Sequence, residues 1–434
     1  MIQGSRGATT LVGMPGFVVG AHDIVAGELW LYVETTADVV DCSECGTRAV
    51  GHGRARTAVR DLPISGRPTV LMWSKRRWRC PDPDCEVNTW SETTEAIAPR
   101  AVLSERARKR LSDMVNIDGD TIAGAAGEFG VGWHTGNQAV AEYTDPHIED
   151  PDRLEGVTAI GVDEKRFLNA TPKRHTVYTT QIVDLDRHRL LDVIEGRSRN
   201  VLGNWLHERG EQWCDRIRLA TLDPSAGYRK ALTDHLEGAT LVVDHFHAVQ
   251  LANRAIDDTR RRVQQQTLGH RGRRTDPLYR ARRVLLTGYE RLTEDRFWWM
   301  ATLLRAGDPD GEVSAAWIAK ELLRDTYSAV DEAHARRRLI AFYIHCADTD
   351  VPELVRLART VSRWSHEVLA YHTTGRASNG RVENTHMLAE KTRRNAHGFT
   401  NITNYRRRLL GRLGIKWHTQ PTARIRGRQP RFIA

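Results

Sequence analysis

Four of the six cysteines in this 434-residue chain stand in two close pairs, Cys42-Ser43-Glu44-Cys45 and Cys80-Pro81-Asp82-Pro83-Asp84-Cys85. Each pair reads as a tight turn presenting two thiolates, and four thiolates complete a tetrahedral zinc site. The stretch between them is strand-like, with Pro63 and Gly66 marking a turn before the apolar run Thr69-Val70-Leu71-Met72-Trp73. Two knuckles joined by strands predict a zinc ribbon within residues 1–95. The competing reading, two disulfides, requires an oxidising compartment that nothing else in the sequence supports. His52 falls outside the pair spacing and reads as a surface residue. Beside the second knuckle, Lys75, Arg76, Arg77 and Arg79 interleave with Trp78, as in a DNA-contacting ribbon or, equally, a solvated face.

Charge points the same way. The chain has 64 Lys+Arg against 55 Asp+Glu, a net charge of +9, and 56 of the 64 cations are arginine. Arginine's planar fork suits phosphate, so a polyanionic partner is expected; GC-rich coding is the competing source of the bias. No apolar run approaches the ~18–20 residues of a membrane helix, and the N-terminus lacks a charged start followed by an apolar core. A cytoplasmic, unexported chain without a membrane partner is therefore expected.

Residues 100–145 turn helical. Ser104 can cap a helix running to about Val115, Thr121 another over Ile122–Phe129, and a third follows over Trp133–Tyr143 after Gly130-Val131-Gly132. This fits a helix-turn-helix. The third helix carries Asn137 and Gln138 but no Arg or Lys, so a small helical linker domain is the alternative. Asp145–Asp152, acidic and holding two prolines, reads as a linker.

Strand and helix then alternate. Strands are expected over Val157–Val162, His175–Leu185, Leu190–Glu195, Ile217–Leu222 and Thr240–Val243, with helices over Asn200–Arg209, Ser225–Leu236 and Phe246–Ile256. The order βββαβαβα is that of a ribonuclease-H-like fold, in which the first and fourth strands end side by side and bring Asp163 to Asp223. Paired carboxylates repel unless a cation lies between them, and hard oxygen ligands suit magnesium. Such a site can activate a water or a 3′-hydroxyl for in-line attack on phosphorus. The best-placed third acid is Glu383, on a helix capped by Ser378 or Asn379 and running to Arg394.

At these residues the sequence resembles the zinc-ribbon DDE transposases of bacterial insertion sequences, the ISL-three family. The resemblance spans about residues 40–412. It rests most specifically on Gly161-Val162-Asp163-Glu164, Leu222–Ala231, Asp244-His245-Phe246-His247, Ser378–Glu383 and His397-Gly398-Phe399-Thr400-Asn401. Two departures stand out: Asn384 replaces a usual glycine, and the second helix of the helix-turn-helix lacks the family's basic residues.

The resemblance implies Asp163, Asp223 and Glu383 as the triad holding magnesium or manganese, with Asp244 and His247 as an accessory element. It implies a multidomain α+β chain: zinc ribbon (1–95), helix-turn-helix-like domain (100–145), ribonuclease-H-like domain (155–257 and 371–415) interrupted by a helical insertion (258–370), and a basic tail (416–434). In the insertion, Arg260–Arg262 and Arg271–Arg274 are candidates to track phosphates or, equally, to line a solvated helix face, and Trp298-Trp299 reads as core, with a base-stacking platform as the alternative. The tail offers Arg424, Arg426 and Arg428 for non-specific DNA contact, or is a solvated terminus. The expected activity is binding of terminal inverted repeats followed by DNA cleavage and strand transfer, by a homo-oligomer assembled on DNA at the bacterial nucleoid. A structure-specific nuclease on the same fold, or a DNA-binding regulator with an inactive catalytic domain, are the alternatives.

Overall fold

The computed structural model describes residues 6–36, 39–418, 424–426 and 429–431. The chain divides into two compact units, residues 1–153 with 389–434, and residues 154–388.

The first unit opens with a short helix α1 (Arg6–Val12) and strands β1 (Phe17–Val25), β2 (Glu28–Thr35), β3 (Val50–Ile64), β4 (Arg67–Arg79) and β5 (Thr89–Ser91). They form one sheet in the order β1-β2-β4-β3, with β5 added on β4. Ser65 and Gly66 make the β3–β4 turn, both at positive φ, where glycine carries no Cβ penalty. Alternation puts Leu71 and Trp73 of β4 into a core with Val59, Val33 and Phe17. Helices α2 (Glu105–Asp113), α3 (Ile122–Glu128) and α4 (Trp133–Glu149) follow. Ser104 and Thr121 cap the first two, each accepting a backbone N–H three residues on, as their side chains predict.

The expected linker is a correction. Helix α4 continues through Asp145 and Pro146 to Glu149. Asp145 is held by the Arg407 guanidinium at 2.6 and 2.7 Å, so its charge is spent on packing rather than on solvating a connector.

The second unit is built on β6 (Ala159–Leu168), β7 (Val177–Asp184), β8 (Arg189–Glu195), β9 (Leu219–Leu222) and β10 (Thr240–Val243). Their order across the sheet is β10-β9-β6-β7-β8, with β6, β9 and β10 parallel and β7 and β8 antiparallel. Helices α5 (Arg199–Arg209), α6 (Glu211–Cys214) and α7 (Ala226–His235) make the crossovers. After β10, α8 (His245–Leu268) is twice the expected length, since its apolar face carries on through Thr259 and Val263. A helical layer follows: α9 (Pro277–Ala281), α10 (Glu294–Gly307), α11 (Glu312–Tyr327), α12 (Glu332–Asp348), α13 (Pro352–Arg363), α14 (Ser365–Thr373) and α15 (Gly380–Asn395). Its apolar side chains merge with those of the sheet into one core.

Two expectations for this layer are corrected. Trp298 and Trp299 are 59% and 41% exposed, because Met300, Leu303 and Leu304 occupy the buried face of α10. Arg260 and Arg262 do not face solvent phosphate: Arg260 is buried against Gln264 and Asp257, and Arg262 binds Glu353 and Glu312.

Beyond α15 the chain rejoins the first unit. Helix α16 (Ile402–Leu413), capped by Asn401 of the His397–Asn401 motif, sends buried Arg408 to the carbonyls of Val115 and Asp120. Strands β11 (Arg424–Arg426) and β12 (Gln429–Arg431) pair antiparallel. Arg424 and Arg426 thus fall in β11, whereas Arg428 lies outside the described residues.

Candidate metal centres

The cysteine turns meet. Gly46 N–H bonds back to the Cys42 carbonyl at 2.9 Å, with Gly46 at φ +71°, and Cys80 N–H bonds to the Asn88 carbonyl at 3.1 Å. These turns bring Cys42 Sγ to 3.7 Å from Cys85 Sγ and Cys45 Sγ to 3.5 Å from Cys80 Sγ, all four sulfurs lying within 4.8 Å of one another. Tetrahedral zinc with Zn–S bonds of about 2.3 Å requires sulfur separations of about 3.8 Å. All six cysteines are free of disulfide bonds, so the disulfide alternative falls away. Hydrogen bonds from Thr47 draw the Cys45 thiol down to about 7. A backbone donor at Val87 eases ionisation of Cys85, but burial and the three neighbouring sulfurs outweigh it and push Cys85 up to about 12. Four thiolates at this spacing need a cation between them, and the donor set fits zinc.

The cations beside the second knuckle divide between the two faces of β4. Lys75, Arg77 and Arg79 alternate onto one face, where Arg77 and Arg79 are exposed. Lys75 lies over the Trp73 ring at 4.9 Å. Arg76 is half-buried on the other face, opposite Arg54 of β3. Sequence reasoning grouped four cations; the pleat groups three.

The acidic cluster comes from the register of three parallel strands. Val162 pairs with Leu222 and Leu222 with Val243, so the residues that follow, Asp163, Asp223 and Asp244, stand side by side. Asp163 lies within β6 rather than at its end, since β6 runs on to Leu168 in partnership with β7. Asp163 Oδ1 accepts the Glu164 N–H at 2.6 Å, and its Oδ2 is 2.8 Å from His386 Nδ1. Asp223 Oδ2 is 3.1 Å from His247 Nδ1, and its Oδ1 accepts from Asn379 Nδ2 at 3.3 Å. Asp244 is buried and largely committed: it accepts the His247 N–H that caps α8 at 3.4 Å and the Asn379 N–H at 3.0 Å. Glu383, exposed on α15, reaches the same place, with its carboxylate, Asp244 and His247 offering donor atoms within 4.8 Å of one another.

The structure thus gathers all five predicted acidic and histidine residues, in two overlapping sets. Asp163 and Asp223 follow paired residues of β6 and β9, Glu383 sits with Asp244 and His247, and the His247–Asp223 contact joins them. Burial opposes ionisation of Asp163, yet hydrogen bonds from His386 and Asp223 hold it below the usual carboxylate range. Burial and the neighbouring Asp163 charge push Asp223 far above that range. Without metal the pair therefore carries one proton between two carboxyls, as expected when like charges meet in a poorly solvated place. Oxygen-rich donors with an exposed member fit a divalent cation that keeps some of its water.

Sequence reasoning missed Asn379 and His386. Asn379 was assigned only as a possible helix cap, yet it ties together Thr221, Asp223 and Asp244. His386 lies three residues beyond Glu383, the spacing that places two side chains on one helix face, and that periodicity was the available signal.

Comparison with known proteins agrees with this geometry. A family model described as transposase, of the ISL3 DDE type, matches residues 160–409, which hold every acid just described. The chain belongs to this transposase family. A second model, the zinc finger of the IS204, IS1001, IS1096 and IS1165 transposases, matches residues 38–85 and so all four clustered cysteines. The transposase for insertion sequence element IS1001 of Bordetella parapertussis is 25% identical over 347 residues, covering 79% of this chain and 81% of its own. The transposase for insertion sequence element IS1557 of Mycobacterium tuberculosis H37Rv is 27% identical over 291 residues, covering 62% of this chain and 63% of its own.

Proposed function

We propose that this chain cleaves and joins DNA at the ends of a mobile element, with Asp163, Asp223 and Glu383 holding magnesium or manganese and with Asp244 and His247 supporting them. The observation that carries this reading is the alignment of Asp163, Asp223 and Asp244 on adjoining strands, with Glu383 brought to the same place by α15. The sheet order β10-β9-β6-β7-β8 supports a ribonuclease-H-like catalytic domain interrupted by the helical layer.

Bound cations supply charge for the attacking and leaving oxygens of an in-line displacement. This chain's residues supply the frame. Asn379 and His386 fix the carboxylate rotamers, and the strand register fixes their spacing. In the first step a water oxygen attacks phosphorus and a 3′-oxygen leaves with a proton. In the second, that 3′-hydroxyl attacks a target phosphodiester and the target's own 3′-oxygen departs, so one bond forms for each that breaks.

Repeat recognition belongs in this reading to the zinc ribbon, through Lys75, Arg77 and Arg79, and to the helix-turn-helix-like helices α2–α4. Arg424, Arg426 and Arg428 contribute non-specific contact, and the chain works as a homo-oligomer on DNA in the bacterial cytoplasm. Among the described residues no helix is long and apolar enough to cross a membrane. The test is an incubation of the purified chain with Mg²⁺, a duplex carrying the element's own terminal repeat, and a plasmid target. Joined product dependent on the repeat supports the reading, and its absence at every metal concentration contradicts it.

A further inference from the structure

The acidic cluster has an apolar rim that no role in holding metal explains. Phe246 stands between the two histidines that follow Asp244 and is 47% exposed. Its ring meets the His247 ring edge-on at 5.6 Å, and His247 Nδ1 is 3.1 Å from Asp223. On the other contributing helix, Met387 comes one turn after Glu383 and is 67% exposed. The neighbouring ring is otherwise used: His245 packs on Tyr327 and Tyr371, with its Nδ1 3.6 Å from Asp244 Oδ1. A large apolar side chain at the edge of a carboxylate cluster gains nothing from phosphate or from metal-bound water. The part of a nucleic acid that an aromatic face or a thioether does hold is a base, and a base is reached only when lifted from its stack.

We propose that Phe246, with Met387 one turn beyond Glu383 on α15, forms a site for one unstacked nucleobase of the strand held at the acidic cluster, next to the phosphate to be cut. The inference rests on the reading of this cluster as a DNA-cleaving centre and adds what holds the strand there. Sequence tolerance follows, because every base presents a π face. The platform sets the phosphate's position relative to Asp163, Asp223 and Glu383.

The test uses the full chain and duplexes carrying its terminal repeat, either intact or with an abasic residue at the nucleotide flanking the cleavage position. Stacking of one base on an aromatic side chain corresponds to roughly 10- to 100-fold in affinity or rate. Phe246→Ala is expected to cut the intact duplex about 10- to 100-fold more slowly than the wild type, and Phe246→Trp to restore the rate. On the abasic duplex, wild type and Phe246→Ala should cut alike, since the group they differ in holding is gone. A readout free of turnover accompanies this. With Ca²⁺ in place of Mg²⁺, 2-aminopurine at the flanking position should brighten on binding wild type and stay at its duplex level with Phe246→Ala.

A Phe246→Ala protein that cuts the intact duplex within twofold of wild type, or loses the same factor on both duplexes, overturns the platform. So does unchanged 2-aminopurine brightening in that variant. No cleavage by wild type, or full cleavage by Asp163→Ala, sinks the DNA-cleaving reading itself and is told apart from failure of the platform by the wild-type and Asp163→Ala lanes.

Discussion

Asp163 and Asp223 follow paired residues of adjoining strands, with the proton affinity of Asp163 lowered by His386 and that of Asp223 raised by burial and the Asp163 charge. A divalent cation between them must displace the proton on Asp223. Because that carboxyl's affinity for protons is raised in the metal-free protein, metal binding should release close to one proton at neutral pH. Metal affinity should then rise with pH and fall as acid restores the proton. Calorimetric Mn²⁺ titrations in two buffers of different ionisation enthalpy, with Asp223→Asn as the control, measure the released proton directly. Equal heats in both buffers would contradict the shared-proton description. Asn379 and His386 show why the partners of these acids were hard to read. They act on residues more than 130 positions away in sequence, through a strand register and a helix placement that no local pattern specifies. Asp163, Asp223 and Asp244 were legible because each follows a short apolar, strand-like run, and Glu383 because it opens a helix after Ser378-Asn379-Gly380.

At the scale of elements, what was local was legible. The caps Ser104 and Thr121 each accept the backbone N–H expected of them. Element lengths were less so: α4 runs past Pro146 and α8 past Ile256, because long-range packing decides where a helix stops. One close approach controls the acidic cluster. A β-carbon at Gly161 of β6 would overlap the Val382 side chain on α15 and stand 2.9 Å from Leu185 Cδ2. Gly161→Ala should therefore push α15, with Glu383 and His386, off the sheet. We expect a folded protein destabilised by about 1–3 kcal/mol and with DNA joining reduced far more than its melting temperature suggests; parallel thermal melts and joining assays check this. In the ribbon, structural zinc contributes on the order of 10 kcal/mol to the folding of small domains. Cys80→Ser should thus lose one zinc per chain by metal analysis, together with repeat-specific binding, while the second unit stays folded. A wild-type protein purified without zinc would defeat this account of the ribbon.

At the scale of the whole molecule, 56 arginines are not one DNA-binding surface. Arg260, Arg262, Arg407 and Arg408 are spent on packing, whereas Arg77 and Arg79 of the ribbon are exposed. Each phosphate contact contributes a slope of about −0.9 to the dependence of log affinity on log salt. Deleting residues 419–434 should flatten that slope and weaken binding alike on all sequences; loss of specific binding alone, at an unchanged slope, would assign the tail a different role. The central claim is that one cluster carries both cleavage and joining. It is tested most directly by assaying Asp163→Ala, Asp223→Ala, Glu383→Ala and Asp244→Ala side by side on repeat-bearing DNA with Mg²⁺. The first three should bind the repeat and neither cut nor join, and Asp244→Ala, which loses a cap and an Asn379 contact, should be impaired but active. Full cleavage by Asp223→Ala with none by Asp244→Ala would contradict the assignment and move the second ligand to the neighbouring strand.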